Sequence, residues 1–286
     1  MPTLTLPAPA KLNLFLHING RRPDGYHNLQ TLFQLLDYGD ELSFTVTGNG
    51  NDIEFSCSDP ALGGGDNLVV RAAKLLQQAA NRPVAAKIHL TKRLPAGGGI
   101  GGGSSDAATT LLALNHLWGL HLAQTELLLI ARQLGADVPV FVYGQSAFAE
   151  GVGEQLQAVD LADNWYVVLA PACHVSTAEI FSHKGLTRDT PVIKVAASLQ
   201  HGTQNDCQAL VRELYPPVKS ALNWLGQFGP AKLTGTGACV FLAVSNEQEA
   251  QRILGQKPDA LGGFIARGVN QSPVLSMLAK QIATGV

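Results

Sequence analysis

Between Leu94 and Ala108 the chain reads LPAGGGIGGGSSDAA, and the residue types here suit one kind of chemistry, the gripping of phosphate. Six glycines between Gly97 and Gly103 leave the backbone without Cβ atoms, so its N–H groups can turn toward an anion and approach it closely. Ser104, Ser105 and Asp106 are all good helix N-cap residues, and from Ala107 onward the sequence is helix-forming, with Leu111, Leu114 and Trp118 on one stripe. A glycine run that feeds a helix N-terminus presents free amide donors and the positive end of the helix dipole to phosphate. A flexible linker has a similar composition, but linkers are not joined to a strand on one side and a capped helix on the other.

Three familiar phosphate motifs are excluded. No G-x-x-x-x-G-K-[ST] string occurs, which rules out a Walker-type loop. Gly97, Gly99 and Gly102 fit G-x-G-x-x-G, but Thr110–Leu122, where a dinucleotide fold requires an acidic residue, holds no carboxylate. H-R-D and D-F-G, the marks of protein kinases, are both missing.

Two charged residues invite a chemical role and also admit a plain one. Asp137 follows Gly135 and precedes Pro139, an order that suits a helix ending at Gly135 and a new one capped by Asp137. The same carboxylate could serve as a proton acceptor. Lys11 lies in KLNLFLHI, where Leu12, Leu14, Leu16 and Ile18 share one strand face and Lys11 and Asn13 the other. It is either an edge residue reaching solvent or a buried functional cation.

The elements that must position these groups are legible in outline. Arg21-Arg22-Pro23-Asp24-Gly25 is a turn that delivers Tyr26 and His27 just beyond a loop. A hairpin is expected from Leu32–Leu36 and Leu42–Val46 about a Tyr38-Gly39-Asp40 turn, followed by a loop over 48–66. Asp66 or Asn67 caps a helix through Leu76, and Val84–Leu90 is a strand. Thr125 caps a further helix. Beyond a boundary near Asp160–Asn164, strands are expected at Trp165–Ala170, Ala231–Thr234, Ala238–Val244 and Gly263–Arg267. Helices start at Ser176 and Asn246, each with a glutamate three residues on that completes a capping box, and at Asn205. This pattern predicts a small α+β sandwich in the second half.

Bulk properties narrow the class. The 286 residues are 46% hydrophobic and 15% charged, which suits two globular domains and excludes a disordered chain. A net charge of −2 without any Lys/Arg run argues against nucleic-acid binding. Cys57, Cys173, Cys207 and Cys239 are too dispersed for a zinc site and are expected as small buried thiols. There is no signal-peptide pattern and no run of about 18 apolar residues, so a cytoplasmic protein without membrane contact is expected.

Three segments together resemble the GHMP kinases, a family of small-metabolite kinases: PAKLNLFL (Pro9–Leu16), LPAGGGIGGGSSDAA and KLTGTGACVF (Lys232–Phe241). GRRPDGYHNLQTLFQLLDYGD (Gly20–Asp40), GADVPVF (Gly135–Phe141) and AFAEGVGE (Ala147–Glu154) are similar to the branch that acts on 4-diphosphocytidyl-2-C-methyl-D-erythritol. The resemblance implies an α/β (α+β) two-domain fold. Residues 1–160 would form a domain like the second domain of ribosomal protein S5, and residues 161–286 a ferredoxin-like α+β sandwich. It implies ATP as co-substrate with Mg²⁺. ATP would lie across Pro95, Ala96, Gly97, Gly98, Gly99, Ile100, Gly101, Gly102, Gly103, Ser104 and Ser105, with Asn67 beside the adenine or ribose and Lys92 close to the nucleotide.

The catalytic base implied is Asp137, with Lys11 keeping it ionised. Asn13 and Thr177 would touch the substrate, Tyr26 and Phe181 would sandwich the cytosine, and His27 would read its edge. Thr234 and Thr236, around Gly235 and Gly237, match a motif that closes over the phosphates. Where many relatives carry serine this chain has Gly102, which leaves open whether Ser104, Ser105 or neither helps position Mg²⁺. A kinase of the same family acting on homoserine or a mevalonate derivative, and a non-catalytic RNA-binding module, are the competing readings. Oligomeric state is not legible.

Overall fold

The computed structural model describes residues 3–48, 50–200 and 204–284. β1 (Thr3–Arg21) and β2 (His27–Val46) form a long antiparallel pair. Side chains Thr3–Leu6 alternate exposed and buried, as on a half-covered sheet, whereas nearly all from Ala8 to Ile18 are buried, because there the strand is covered on both faces. β1 occupies one edge of β2 along most of its length. The opposite edge is divided among three partners: β4 (Ala86–Thr91) on Glu41–Val46, β5 (Ala147–Glu150) on Thr31–Phe33, and β10 (Gly262–Val269) on Leu35 and Leu36. β3 (Ile53–Cys57) runs parallel to β4, and β6 (Gln155–Ala158) closes a hairpin with β5.

Four helices cover this sheet. α1 (Leu68–Ala79), α3 (Gln124–Leu134) and α4 (Val138–Tyr143) surround α2 (Gly102–Leu117), which lies directly on β1 and β2. The second half runs β7 (Trp165–Ala170), helices α5 (Thr177–Ser182), α6 (Val195–Gln200), α7 (Gln208–Leu214) and α8 (Pro216–Leu225), then β8 (Lys232–Leu233), β9 (Val240–Val244), α9 (Glu247–Leu254) and β10. Its strands are antiparallel in the order β10-β7-β9-β8. That order is the β-α-β-β-α-β sandwich of the ferredoxin-like type. α10 (Pro273–Thr284) then returns to the first half, where Val274 and Leu278 are buried in its core with Leu4, Leu111 and Val140.

Each half has its own apolar core, and a third cluster joins them through Ala10, Leu12, Leu36, Tyr166, Val168 and Phe241. Ile100, the one large residue of the glycine loop, is fully buried in this joining cluster. The loop is therefore pinned at the junction of the two halves.

Several expectations are corrected. Tyr38-Gly39-Asp40 is no turn but part of the unbroken β2, because a Cβ at Gly39 would sit 2.0 Å from the Ala8 carbonyl oxygen; the glycine serves close approach of β1. The expected loop over 48–66 contains β3. α2 begins at Gly102, with Gly101 as N-cap, so Ser104, Ser105 and Asp106 lie inside the first turns rather than capping them. Thr125 is likewise inside α3, whose N-terminus is completed by the Glu126 carboxylate accepting from Ala123 N–H at 2.7 Å. Ser176 and Asn246 do cap α5 and α9, but Glu179 turns to the Tyr215 hydroxyl (2.9 Å) and Glu249 to Ser245 (3.2 Å), so neither capping box closes. Asn205 accepts from Cys207 N–H ahead of α7 and spends its amide on the Leu233 and Gly235 carbonyls instead of starting the helix.

Candidate active site

Lys11 emerges from β1 into the space between the two halves. Its side chain is only 2% exposed, and its ammonium donates to Asn13 Oδ1 (2.6 Å) and Gly99 O (3.0 Å), 3.2 Å from Asp137 Oδ2. The alternation of β1 places Asn13 on the same face, where its Nδ2 donates to Thr31 Oγ1 at 2.9 Å. Asn13 is thus largely committed to holding Lys11. Asp137 occupies the N-cap position of α4, yet its carboxylate makes no capping hydrogen bond. It is 37% exposed beside a buried ammonium, so its free oxygen is accessible to a ligand while its charge is balanced from behind.

Gly99 and Gly101 both have left-handed backbones, with φ of +72° and +76°. A Cβ at Gly99 would lie 2.4 Å from Thr234 O, and one at Gly101 2.7 Å from the Phe141 ring. Only glycine lets the loop pass between those neighbours. The loop is tied to the turn at Thr234–Gly237 through Cys239 N–H to Gly98 O (3.0 Å) and Thr234 Oγ1 to Gly99 O (3.2 Å). A cavity of about 560 Å³ lies on one side of it and a second of about 500 Å³ on the other. Gly99, Ser104, Asp137 and Thr177 line both.

The second cavity collects Asn67, Lys92 and the loop from Pro95 to Gly99 and from Gly101 to Ser104; Ile100 and Ser105 are buried away from it. Asn67 caps α1 through Val69 N–H at 2.9 Å, and Arg93 N–H (2.5 Å) and Leu94 N–H (2.8 Å) are anchored on Asp40 Oδ1. Lys92 reaches back to both Asp40 and Asp106, the latter at 3.1 Å. Burial opposes the charge on Lys92, but the two carboxylates outweigh it and raise its pKa. Burial pushes Asp106 up to about 7; Lys92 opposes that rise and Asp40 adds to it. Asp106 Oδ1 and Ser105 Oγ are buried without a partner. Sequence reasoning missed this cluster, because Asp40 had the look of a turn residue and Asp106 that of a cap.

The first cavity collects Lys11, Asn13, Tyr26, His27, Thr177 and Phe181. Tyr26 is 63% exposed at its rim, whereas His27 is buried with its ring 5.2 Å from that of Phe181. Thr177 and Thr236 share a hydroxyl hydrogen bond of 2.9 Å. Arg188, which carried no signal in the sequence, donates from Nε to His27 Nε2 at 3.0 Å. Burial first, then the charges of Arg188 and Arg21, lower the His27 pKa. Among the described residues no group of three or more His, Cys, Asp or Glu could cage a metal, and no helix is long and apolar enough to cross a membrane.

The arrangement brings a glycine loop, a carboxylate–ammonium pair and a pocket with aromatic side chains together. Residues 67–145 match the family model for the GHMP kinases N terminal domain and residues 186–257 that for the GHMP kinases C terminal. The 4-diphosphocytidyl-2-C-methyl-D-erythritol kinase of Marinobacter nauticus is 54% identical over 97% of this chain and 98% of its own. That of Pseudomonas syringae is 56% identical over 98% of each. Among solved structures, a 4-(cytidine 5′-diphospho)-2C-methyl-D-erythritol kinase superposes with a TM-score of 0.79 at 31% identity, covering 93% of this chain and 99% of that one. A mevalonate kinase, at 17% identity, 94% and 100% coverage and a TM-score of 0.70, shares the fold. The chain belongs to the GHMP kinases.

Proposed function

We propose that this protein transfers the γ-phosphoryl group of ATP to the 2-hydroxyl of 4-diphosphocytidyl-2-C-methyl-D-erythritol, a step of the non-mevalonate route to isoprenoid precursors. The observation that carries this reading is the meeting of two cavities at Asp137, one walled by the glycine loop and the other by Tyr26, His27 and Phe181. The identity to kinases of that name over nearly the full length supports this acceptor; a mevalonate kinase and a homoserine kinase, at 17% and 18% identity, share the fold alone.

In this reading the amides from Gly97 to Gly103 and the N-terminus of α2 hold the triphosphate. Asn67 and Lys92 lie beside the nucleotide. Asp137 accepts the proton of the 2-hydroxyl as its oxygen bonds to the γ-phosphorus, the bond to the β–γ bridging oxygen breaks and ADP leaves. Lys11, 3.2 Å from Asp137, balances its charge and stabilises negative charge passing between the phosphate and the hydroxyl. Tyr26 and Phe181 stack on the cytosine, His27 meets its edge, and Asn13 and Thr177 flank the acceptor.

The residues present also fit Mg²⁺. It takes few protein ligands when phosphates supply the rest, and Ser104 and Asp106, whose Oδ1 is buried without a partner, both line the nucleotide cavity and carry hard oxygen donors. When bound, Mg²⁺ neutralises charge on the β- and γ-phosphates. Gly102 supplies no hydroxyl, and Lys92 Nζ and Asp40 Oδ2 stand 3.4 and 3.5 Å from where its Cβ would be. Four unpaired thiols accord with a reducing cytoplasm.

Incubating the protein with radiolabelled ATP and the cytidylyl acceptor tests the reaction. Label moving only to acceptors that lack the cytidylyl group would overturn the choice of substrate. Asp137→Asn is expected to lower kcat by about 10²–10⁴-fold with nucleotide affinity retained. Turnover at the parent rate in a folded variant would remove Asp137 as the base.

A further inference from the structure

Arg188 lies between α5 and α6 and takes no part in phosphoryl transfer as described above, yet its guanidinium is held at four points. Nη2 donates to Phe181 O (2.7 Å) and His183 O (2.9 Å), Nη1 to Leu186 O (3.1 Å), and Nε to His27 Nε2 (3.0 Å). Three carbonyls therefore fix the group independently of the imidazole. A guanidinium has only donors and does not lose its proton, so Nε2 must present its lone pair. His27 is buried, and both that burial and the neighbouring charges of Arg188 and Arg21 favour the neutral ring. A neutral ring with its lone pair at Nε2 carries its proton on Nδ1. No described residue accepts from Nδ1, and His27 lines the cavity assigned to the acceptor's base.

We propose that Arg188 is a positioning residue that locks His27 in the Nδ1–H form, so that the pocket offers a hydrogen-bond donor to the base and selects cytosine over uracil. The chemistry is a matter of one hydrogen. N3 of cytosine is a bare acceptor, whereas N3 of uracil carries a hydrogen and would oppose the imidazole N–H. An imidazole free to change tautomer could turn a lone pair to uracil instead; the fixed arginine removes that option. Selection by a mismatched donor pair is repulsive as well as attractive, which is how closely similar ligands are separated. The inference rests on the reading that the acceptor carries a cytidylyl group.

The test needs no turnover. With the nucleotide cavity saturated by a non-hydrolysable ATP analogue, calorimetry gives the Kd of cytidine 5′-diphosphate and of uridine 5′-diphosphate. The parent protein is expected to favour the cytidine form by on the order of 10-fold or more, the factor that one unmade buried hydrogen bond implies. Arg188→Met, which keeps the apolar stem and removes every donor, should bring the ratio close to one, and Arg188→Lys, which keeps a donor, should restore preference for cytidine. Were Arg188 merely a brace for its loop, Arg188→Met would weaken both ligands alike and leave the ratio unchanged; that result overturns the proposal. The ¹⁵N spectrum of the His27 ring in the parent protein decides independently, even if Arg188→Met does not fold. A proton on Nδ1 is expected, and one on Nε2 overturns the proposal. Loss of phosphoryl transfer with the cytidine preference intact would reject the kinase reading and leave this inference standing.

Discussion

Asp106 and Asp40 share the single ammonium of Lys92, and all three are largely removed from water. Two carboxylates on one cation favour keeping a proton in the cluster, and burial places it on Asp106, pushed up to about 7 from an ordinary value near 3.8. Between those two values the folded protein binds a proton that the unfolded chain has released. Stability from this group is therefore complete below about pH 4 and is lost as pH rises through 7. Asp106→Asn has no such proton to lose. The Tm of the variant minus that of the parent should rise from pH 5 to pH 8, and a flat difference would show that the carboxyl titrates normally. Arg188 and His27 illustrate the same scale: a single immobile donor decides which nitrogen of a ring carries a hydrogen.

The glycine loop and α2 act as one element. The loop is tied on several sides: Lys11 N–H donates to Ile100 O (3.0 Å), Ile100 is buried, and Thr234 and Cys239 donate to the carbonyls of Gly99 and Gly98. Its glycines serve conformation and clearance more than mobility. Gly101→Ala would combine a left-handed backbone, costing about 1–2 kcal/mol, with contacts of 2.7 Å to Phe141 and 3.3 Å to Lys11 Cε. The expected result is a rise in KM for ATP on the order of 10-fold in steady-state kinetics, with the acceptor KM much less affected. Equal changes in both would mean that the loop does not specifically serve the nucleotide. The capping expectations at Asn67, Ser176 and Asn246 were legible because an N-cap depends on residues two or three positions away. The start of α2 was not, since its first turns are built from glycines and serines that tertiary neighbours hold in place.

At the scale of the molecule the two halves are not separable. β10 joins β2 at Leu35 and Leu36, and α10 carries the chain's last described residues back into the first core. Leu278 is 7% exposed there, so Leu278→Ala should cost about 2–4 kcal/mol, read as a lower urea midpoint. A loss well under 1 kcal/mol would make α10 peripheral. This junction also brings together side chains from both halves around the cavity of about 560 Å³, with Lys11 and Asp137 from the first and Thr177, Phe181 and Thr236 from the second.

The amino-acid sequence alone determined what depends on near neighbours: the bare amides before α2, the caps at Asn67, Ser176 and Asn246, the strand at Trp165–Ala170 and the turn that presents Tyr26 and His27. It also carried the family pattern from which Lys11 and Asp137 were named. Tertiary structure alone decided what depends on distant partners. Tyr38-Gly39-Asp40 stays within β2, beside a register shift against β1, where Gly39 gives the Ala8 carbonyl room. Lys92 finds Asp40, 52 residues away, and Arg188 finds His27 across 161. Local periodicity carries no record of such pairs, because burial and charge act through space and the chain neighbours of Asp40 or Arg188 do not reveal what will lie beside them.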